Sequence, residues 1–237
     1  MRLENQKVVV IGGSSGLGLA SALAAESEGA KIVIAGRSQE KLDAASKLFK
    51  SKIETIPLDL SDEKEIGSFF NKIGNFNHLV VTGGVTKPGS ILELDAKTVR
   101  DSFESKFWGQ YFSAKYAIPH LAKNGSIVFF SGVFGMRPRP NTAVLTAVNG
   151  AIEGLTRALA VEIAPIRVNV IAPGFIKTER IANMPEKNKQ EIEKLIAELP
   201  LKKSGIPENV AQSVLYLLTN DYATGSTLCI DGGYSLH

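Results

Sequence analysis

Short apolar stretches alternate with segments of helical periodicity along the whole chain. Most of the stretches are apolar at every position, which is typical of parallel strands buried on both faces. Seven of them are predicted as strands, at residues 8–11, 32–35, 55–58, 79–82, 127–130, 168–171 and 228–230. Between the fifth and sixth strands, one long helix is predicted by apolar residues at helical spacing, namely Val148, Ile152, Leu155, Leu159 and Ile163. The alternation predicts an α/β fold with a doubly wound, parallel, seven-stranded sheet.

The composition favours a soluble globular protein. Hydrophobic residues make up 44% of the 237 residues, and no uncharged apolar run reaches the roughly 18 residues of a membrane span. The net charge of +3 is too balanced for a dedicated nucleic-acid binder. The single cysteine and three widely separated histidines offer no disulfide framework and no metal site. Because no linker divides the chain, we expect one domain over residues 1–237. From the composition we expect a cytoplasmic protein without a metal, membrane or nucleic-acid partner.

A glycine-rich turn follows the first predicted strand. Gly12, Gly16 and Gly18 allow a tight turn, and a helix beginning there would direct backbone N–H groups at a bound pyrophosphate. Structural turns can look similar, but this position at the start of an αβ series favours nucleotide binding. The predicted contacts are Gly12, Ser14, Ser15, Gly16, Leu17 and Gly18.

The end of the second predicted strand indicates which dinucleotide is used. A carboxylate that would bind a free ribose 2′-hydroxyl is missing from residues 35–38, and Arg37 stands there instead. The planar, charged guanidinium suits a 2′-phosphate. The alternative is a solvated arginine at a helix start. The residues favour NADP(H) over NAD(H).

These motifs resemble those of the classical short-chain dehydrogenase/reductase family, over nearly the whole chain. Residues 12–18 match its Gly-xxx-Gly-x-Gly motif, and Asp59 and Leu60 match the pair that borders the adenine. Residues 81–84 keep the glycines of an Asn-Asn-Ala-Gly segment, and residues 167–174 match the sixth strand. Residues 174–178 follow as the nicotinamide-side loop, and residues 224–225 and 231–233 match the closing strand.

The resemblance implies a Rossmann-type fold and hydride transfer to or from a small carbonyl-like substrate. It also implies a homotetramer or homodimer, assembled through the long helix and the helix before it. A polar helical stretch at residues 179–200 resembles a substrate lid. The further cofactor contacts that the family resemblance implies are Asp59, Leu60, Gly83, Gly84, Pro173, Gly174, Ile176 and Thr178.

The positions of the family's Asn-Ser-Tyr-Lys catalytic residues hold other residues in this chain. They are occupied by Lys106, Gly132, Leu145 and Asn149, in that order. Leucine has no proton to exchange, so the usual tyrosine mechanism cannot operate. Tyr111 and Lys115 also spell Tyr-xxx-Lys, but they precede the serine strand, and a structural role is favoured for them.

Three residues are candidates for a rearranged catalytic site. The Lys106 ammonium would favour a developing oxyanion, although a solvated or interface lysine is an equal alternative. Asn149 would hydrogen-bond the nicotinamide ribose. Ser131 lies one residue from the serine position, where an extended backbone would direct its side chain to the opposite side.

Two functions remain open from the sequence. An NADPH-dependent oxidoreductase with an atypical proton transfer is favoured over a non-catalytic NADP-binding sensor or assembly partner.

A basic rim would recruit an anionic substrate, although loop charges are usually solvated. That rim consists of Arg137, Arg139, Lys177 and Arg180.

Overall fold

The computed structural model describes residues 1–236, and of Arg180 the backbone alone. His237 and the Arg180 side chain, which belongs to the predicted basic rim, lie outside the described residues. Within residues 1–236, seven parallel strands form one sheet in the order β3-β2-β1-β4-β5-β6-β7. The strands are β1 (Lys7–Ile11), β2 (Lys31–Gly36), β3 (Glu54–Pro57), β4 (Phe76–Val81), β5 (Leu121–Phe130), β6 (Arg167–Pro173) and β7 (Thr227–Ile230). The predicted α/β fold with a seven-stranded parallel sheet is confirmed.

Two strands begin earlier than the apolar runs predicted. β4 begins three residues before its predicted start and β5 begins six residues before. Their first halves carry polar residues such as Asn77, Lys123 and Asn124. The ends of β4 and β5 at which these residues lie are partly exposed. An apolar run therefore marks only the part of a parallel strand that is covered on both faces.

Helices cover both faces of the sheet. On one face, Val8 and Val10 of β1 pack with α1, α2 and α9. On the other face, Val9 and Ile11 pack with α3, α5 and α6. The helices are α1 (Gly16–Ser27), α2 (Gln39–Ser46), α3 (Glu63–Ile73), α4 (Ala96–Phe103), α5 (Gly109–Ala117), α6 (Ala143–Glu162), α7 (Glu179–Ala182), α8 (Glu186–Glu198) and α9 (Pro207–Thr219).

Helix α6 is the predicted long helix, and it packs against the sheet. By length and apolar composition alone, it is the one helix in residues 1–236 that could cross a membrane. Its buried face includes Val148 and Ile152, which contact the core beside β6. The same face carries the polar residues Asn149 and Glu153, so the packing is that of a core helix.

Candidate active site

The turn after β1 brings the start of α1 close to the sheet. Gly12 has a φ of +83°, and its N–H donates to Ala35 O at 2.8 Å. A Cβ at Gly18 would overlap the carbonyl oxygen of Gly12. Glycine is therefore required at both positions, the first for its backbone conformation and the second for close approach.

The first turn of α1 is suited to bind a phosphate. The N-cap is Ser15, whose side chain makes no capping hydrogen bond, and the first turn contains no acidic residue. The N–H groups at the start of a helix have no intrahelical partner and carry a partial positive charge. The pyrophosphate of a dinucleotide therefore fits this helix end.

A cavity of about 540 Å³ opens at the carboxyl ends of the strands, where open parallel sheets bind their ligands. All the predicted cofactor and catalytic residues line it. They are Gly12, Ser14, Ser15, Gly16, Leu17, Gly18, Arg37, Asp59, Leu60, Gly83, Gly84, Lys106, Ser131, Asn149, Pro173, Gly174, Ile176 and Thr178. The fold thus brings residues from most of the chain into one cleft.

Arg37 and Asp59 lie at one end of this cavity. The Arg37 side chain is exposed and follows β2. Asp59 Oδ1 accepts hydrogen bonds from Ser61 N at 2.9 Å and Ser61 Oγ at 2.8 Å. These hydrogen bonds, with a further contribution from the Arg37 charge, hold the pKa of Asp59 below its usual value. This end of the cavity therefore presents a free guanidinium edge beside a fixed carboxylate.

Lys106 lies at the opposite end and extends into the cavity. Its Nζ donates to Asn149 Oδ1 at 2.7 Å and to Ser131 O at 2.9 Å. Asn149 Nδ2 in turn donates to Gly132 O at 3.2 Å. The buried Leu145 lines the cavity one helical turn before Asn149. The lysine, amide and serine positions singled out from the sequence therefore meet at one point.

A π-helical turn places Lys106 at this point. The segment Glu104–Trp108 joins α4 to α5, and Gly109 N donates to Glu104 O, five residues back. Single π turns within helices are frequent at functional sites. The buried Gln110 side chain donates to Lys106 O at 3.0 Å and to Phe130 O at 3.1 Å, and it accepts from Phe130 N at 2.9 Å. The amide thus ties the π turn to the end of β5.

Gly84 leaves room for the Lys106 backbone. Its φ is +116°, and a Cβ built there would lie 2.8 Å from both Cα and Cβ of Lys106. A side chain at position 84 would therefore displace the lysine. This glycine lines the cavity and also leaves room for Lys106 at the end of the cavity where Lys106 and Asn149 lie, which is named the reacting end.

The Ser131 hydroxyl is engaged by a residue that the sequence analysis did not select. Ser131 Oγ donates to Glu153 Oε1 at 3.0 Å, and both residues are buried. Glu153 follows Asn149 by four residues on α6. A carboxylate four residues after Asn149, on the apolar face of a predicted helix, indicates a residue that faces the same side of the helix as Asn149.

The described side chains of the predicted basic rim lie outside the main cavity. Arg137 Nη1 donates to Tyr234 O at 3.0 Å, and its guanidinium lies 5.0 Å from the centre of the Tyr234 ring. Burial raises the pKa of Tyr234, and the charges of Arg139 and Arg137 oppose that rise. Lys177 is exposed and lines a neighbouring apolar cleft. None of these three residues lines the main cavity.

The Tyr111 and Lys115 pair lies on α5, away from the cavity. Lys115 Nζ forms an ion pair with Glu63 Oε1 at 3.0 Å, and Tyr111 is partly exposed. This placement fits the structural role expected for the pair.

The wall beyond Lys106 is mostly apolar, although Glu179 of α7 also lines the cavity. The predicted lid consists of α7 and α8, separated by residues 183–185, and its apolar side chains face the cavity or pack beside it. The apolar residues of this half of the cavity are Val133, Phe134, Leu145, Phe175, Ile181, Met184 and Ile192.

Comparisons with known proteins agree with this architecture. The family described as enoyl-(acyl carrier protein) reductase matches residues 12–235. A 3-oxoacyl-(acyl-carrier-protein) reductase of Thermotoga maritima is 31% identical, over 98% of this chain and 99% of the relative. A meso-2,3-butanediol dehydrogenase of Serratia marcescens is 31% identical, over 98% and 96%. The crystal structure of a small-chain dehydrogenase in complex with NADPH has a TM-score of 0.86 and 33% identity, over 99% of this chain and 100% of that chain.

The chain belongs to the short-chain dehydrogenase/reductase family. It is an NAD(P)-dependent oxidoreductase, as the sequence predicted.

Proposed function

We propose that the protein is an NADPH-dependent reductase in which Lys106 replaces the usual tyrosine as the proton donor. The observation that carries the proposal is the position of its ammonium, which bonds Asn149 Oδ1 inside the cavity lined by the cofactor residues. Leu145 and Gly132 provide no hydroxyl there.

The chain's own residues supply the proton and the electrostatic stabilisation. When bound, a reduced nicotinamide dinucleotide supplies a hydride to the carbonyl carbon. Lys106 stabilises the charge that develops on the carbonyl oxygen and donates a proton to it, which yields the alcohol. The neutral amine then regains a proton from solvent. Asn149 Oδ1 and Ser131 O hold the lysine in place throughout.

The cofactor proposed is NADP(H) rather than NAD(H). Arg37 lies where the 2′-substituent of the adenine ribose is expected, and the end of β2 carries no carboxylate that would bind a 2′-hydroxyl. The small-chain dehydrogenase with a similar structure was crystallised with NADPH, which supports the same choice.

The substrate proposed is an uncharged, apolar carbonyl compound. The substrate half of the cavity is lined mainly by aliphatic and aromatic side chains, and the one charged residue of the lid that lines it in the described structure, Glu179, is an anion. Arg137 contacts Tyr234, and neither Arg137 nor Arg139 lines the cavity. The relatives include reductases of 3-oxoacyl groups and a dehydrogenase of a small diol. This range of substrates supports a carbonyl compound as the substrate class but does not indicate which compound.

The test is NADPH oxidation with a panel of apolar ketones, quinones and imines, using wild type and Lys106→Met. This substitution keeps most of the stem and removes the charge. We expect turnover to fall by about one to three orders of magnitude, with NADPH affinity unchanged because the phosphates bind at the other end. Lys97→Met controls for loss of an exposed lysine of α4. Normal turnover by Lys106→Met, or no wild-type turnover on any substrate, would contradict the proposal.

A further inference from the structure

A buried carboxylate lies next to the reacting end, and the proposed reaction does not use it. Glu153 is 9% exposed and lies one turn after Asn149 on α6. Both side chains reach the end of β5, where Asn149 contacts Gly132 O and Glu153 contacts the Ser131 hydroxyl. Burying a carboxylate is costly unless hydrogen bonds compensate for it. A structural core would be served better by an apolar residue at this position.

Ser131 connects Glu153 to Lys106. Its N–H donates to Ile171 O at 2.9 Å, its carbonyl accepts from Lys106 Nζ at 2.9 Å, and its hydroxyl donates to Glu153 Oε1 at 3.0 Å. Ser131 is the first residue after β5, where the sheet no longer fixes the backbone on both sides. The side-chain bond to Glu153 therefore contributes to the direction in which the carbonyl points.

The surrounding backbone leaves space for this contact. A Cβ at Gly135 would lie 3.0 Å from Glu153 Oε1 and 2.9 Å from Asn149 Cβ. A side chain at position 135 would therefore push both residues of α6 away from the strand end. The glycine allows α6 to approach close enough for the two contacts to form together.

We propose that Glu153 is a positioning residue that fixes the Lys106 ammonium through Ser131. The inference rests on the proposed function of Lys106. Glu153 acts as a hydrogen-bond acceptor for the Ser131 hydroxyl, and this bond keeps the Ser131 carbonyl directed at the lysine. Without the bond, the carbonyl turns and the ammonium loses the hydrogen bond to Ser131 O.

The test compares Glu153→Gln, which keeps an acceptor oxygen, with Glu153→Ala, which does not. We expect kcat of Glu153→Gln to stay within about twofold of wild type. We expect kcat of Glu153→Ala to fall about tenfold to hundredfold, the effect of a misplaced catalytic group, with KM for NADPH unchanged. Glu162→Ala, an exposed carboxylate on the same helix, should behave as wild type. Equal activity of Glu153→Ala and wild type, or equal losses in the Gln and Ala variants, would overturn the proposal.

Crystal structures of the same variants give a readout that does not depend on turnover. In Glu153→Ala, Lys106 Nζ should move out of hydrogen-bond distance of Ser131 O, whereas Glu153→Gln should keep that contact. If Glu153→Ala does not fold, Ser131→Ala removes the same bond from the donor side and should shift the ammonium likewise. An unmoved ammonium would refute the positioning role. If the wild type has no activity but Lys106 Nζ moves as expected in Glu153→Ala, only the proposed function is refuted.

Discussion

At the scale of single residues, the site depends on the pairing of Lys106 with Asn149. A lysine at both positions would bring two ammonium groups together, because Lys106 Nζ lies only 2.7 Å from Asn149 Oδ1. An amide oxygen instead accepts from the ammonium, so the two residue types are compatible only as a pair. Gly132 fits the same arrangement, since a Cβ there would lie 3.1 Å from Asn149 Nδ2. The residues at positions 106, 132 and 149 therefore fit one another.

We expect the choice of dinucleotide to depend on Arg37. We expect wild type to bind NADPH at least tenfold more tightly than NADH, because the guanidinium makes a charge-assisted contact to the 2′-phosphate alone. Arg37→Ala should remove most of this preference by weakening NADPH binding and leaving NADH binding nearly unchanged. Calorimetric Kd values for both cofactors provide the measurement, with Arg100→Ala, an exposed arginine of α4, as the control. Equal wild-type affinities for NADPH and NADH would refute the assignment.

Cavity residues that lie directly after a strand were predictable from the sequence. The glycines after β1 and the arginine after β2 are recognisable because a strand, a turn and a helix follow one another directly. Glu153 and Gln110 were not predicted, because their contacts join a helix to the end of a strand that is distant in sequence. Periodicity shows that such residues face the core, but it does not show which group they meet there.

At the scale of secondary-structure elements, the π turn shows the same limit. The apolar pattern around residues 96–117 is that of helices, and an extra residue in one turn leaves almost no mark on it. The turn nevertheless sets the direction in which Lys106 projects from the α4–α5 connection. The order and type of the strands were predictable, whereas this irregular turn depends on tertiary contacts such as the one with Gln110.

Strands β4 and β5 and the segment before β1 are joined by a buried histidine. His78 Nδ1 lies 2.8 Å from Ser126 Oγ, and His78 Nε2 contacts Gln6 Oε1. A neutral ring satisfies both contacts by accepting from the serine and donating to the glutamine. Burial, assisted by the Arg167 charge, lowers the pKa of His78 from 6.5 to about 4.

This histidine should make the stability of the fold depend on pH. Between pH 6.5 and 4 the unfolded chain binds the proton more readily, so the free energy of unfolding falls as the pH falls through that window. The full loss is about 3 kcal/mol, and the stabilisation is complete above pH 6.5. Denaturant unfolding at pH 7 and pH 4 should show a loss that is smaller by about this amount in His78→Gln than in wild type or His120→Gln, because carboxylates with lowered pKa values, such as Asp59, contribute to the loss in all three. A similar loss in His78→Gln would show that other groups cause it.

At the scale of the whole molecule, an exposed surface on α5 and α6 suggests how copies of the chain assemble. Gly150 is exposed, and a Cβ added there would have no described atom within 4 Å. Trp108 and Tyr111, at 39% and 37% exposure, form an aromatic cluster with Phe107 and Phe112. The turn that carries Trp108 packs against α6, the helix of Gly150. Large, partly exposed aromatic groups are typical of a surface that another subunit covers.

We propose that this surface forms a two-fold interface in a homodimer or homotetramer, since closed symmetric assembly is the usual outcome for identical chains. Gly150→Gln should dissociate the assembly, because the added side chain occupies the space that the partner helix needs. It should not destabilise the protomer, since glutamine favours a helix more than glycine does. Light scattering at micromolar concentration should show a smaller species for Gly150→Gln and the wild-type species for Ala44→Gln, an equivalent enlargement on the exposed side of α2. A monomeric wild type would exclude the assembly. An assembly that Gly150→Gln leaves unaffected would show that the subunit contacts lie elsewhere.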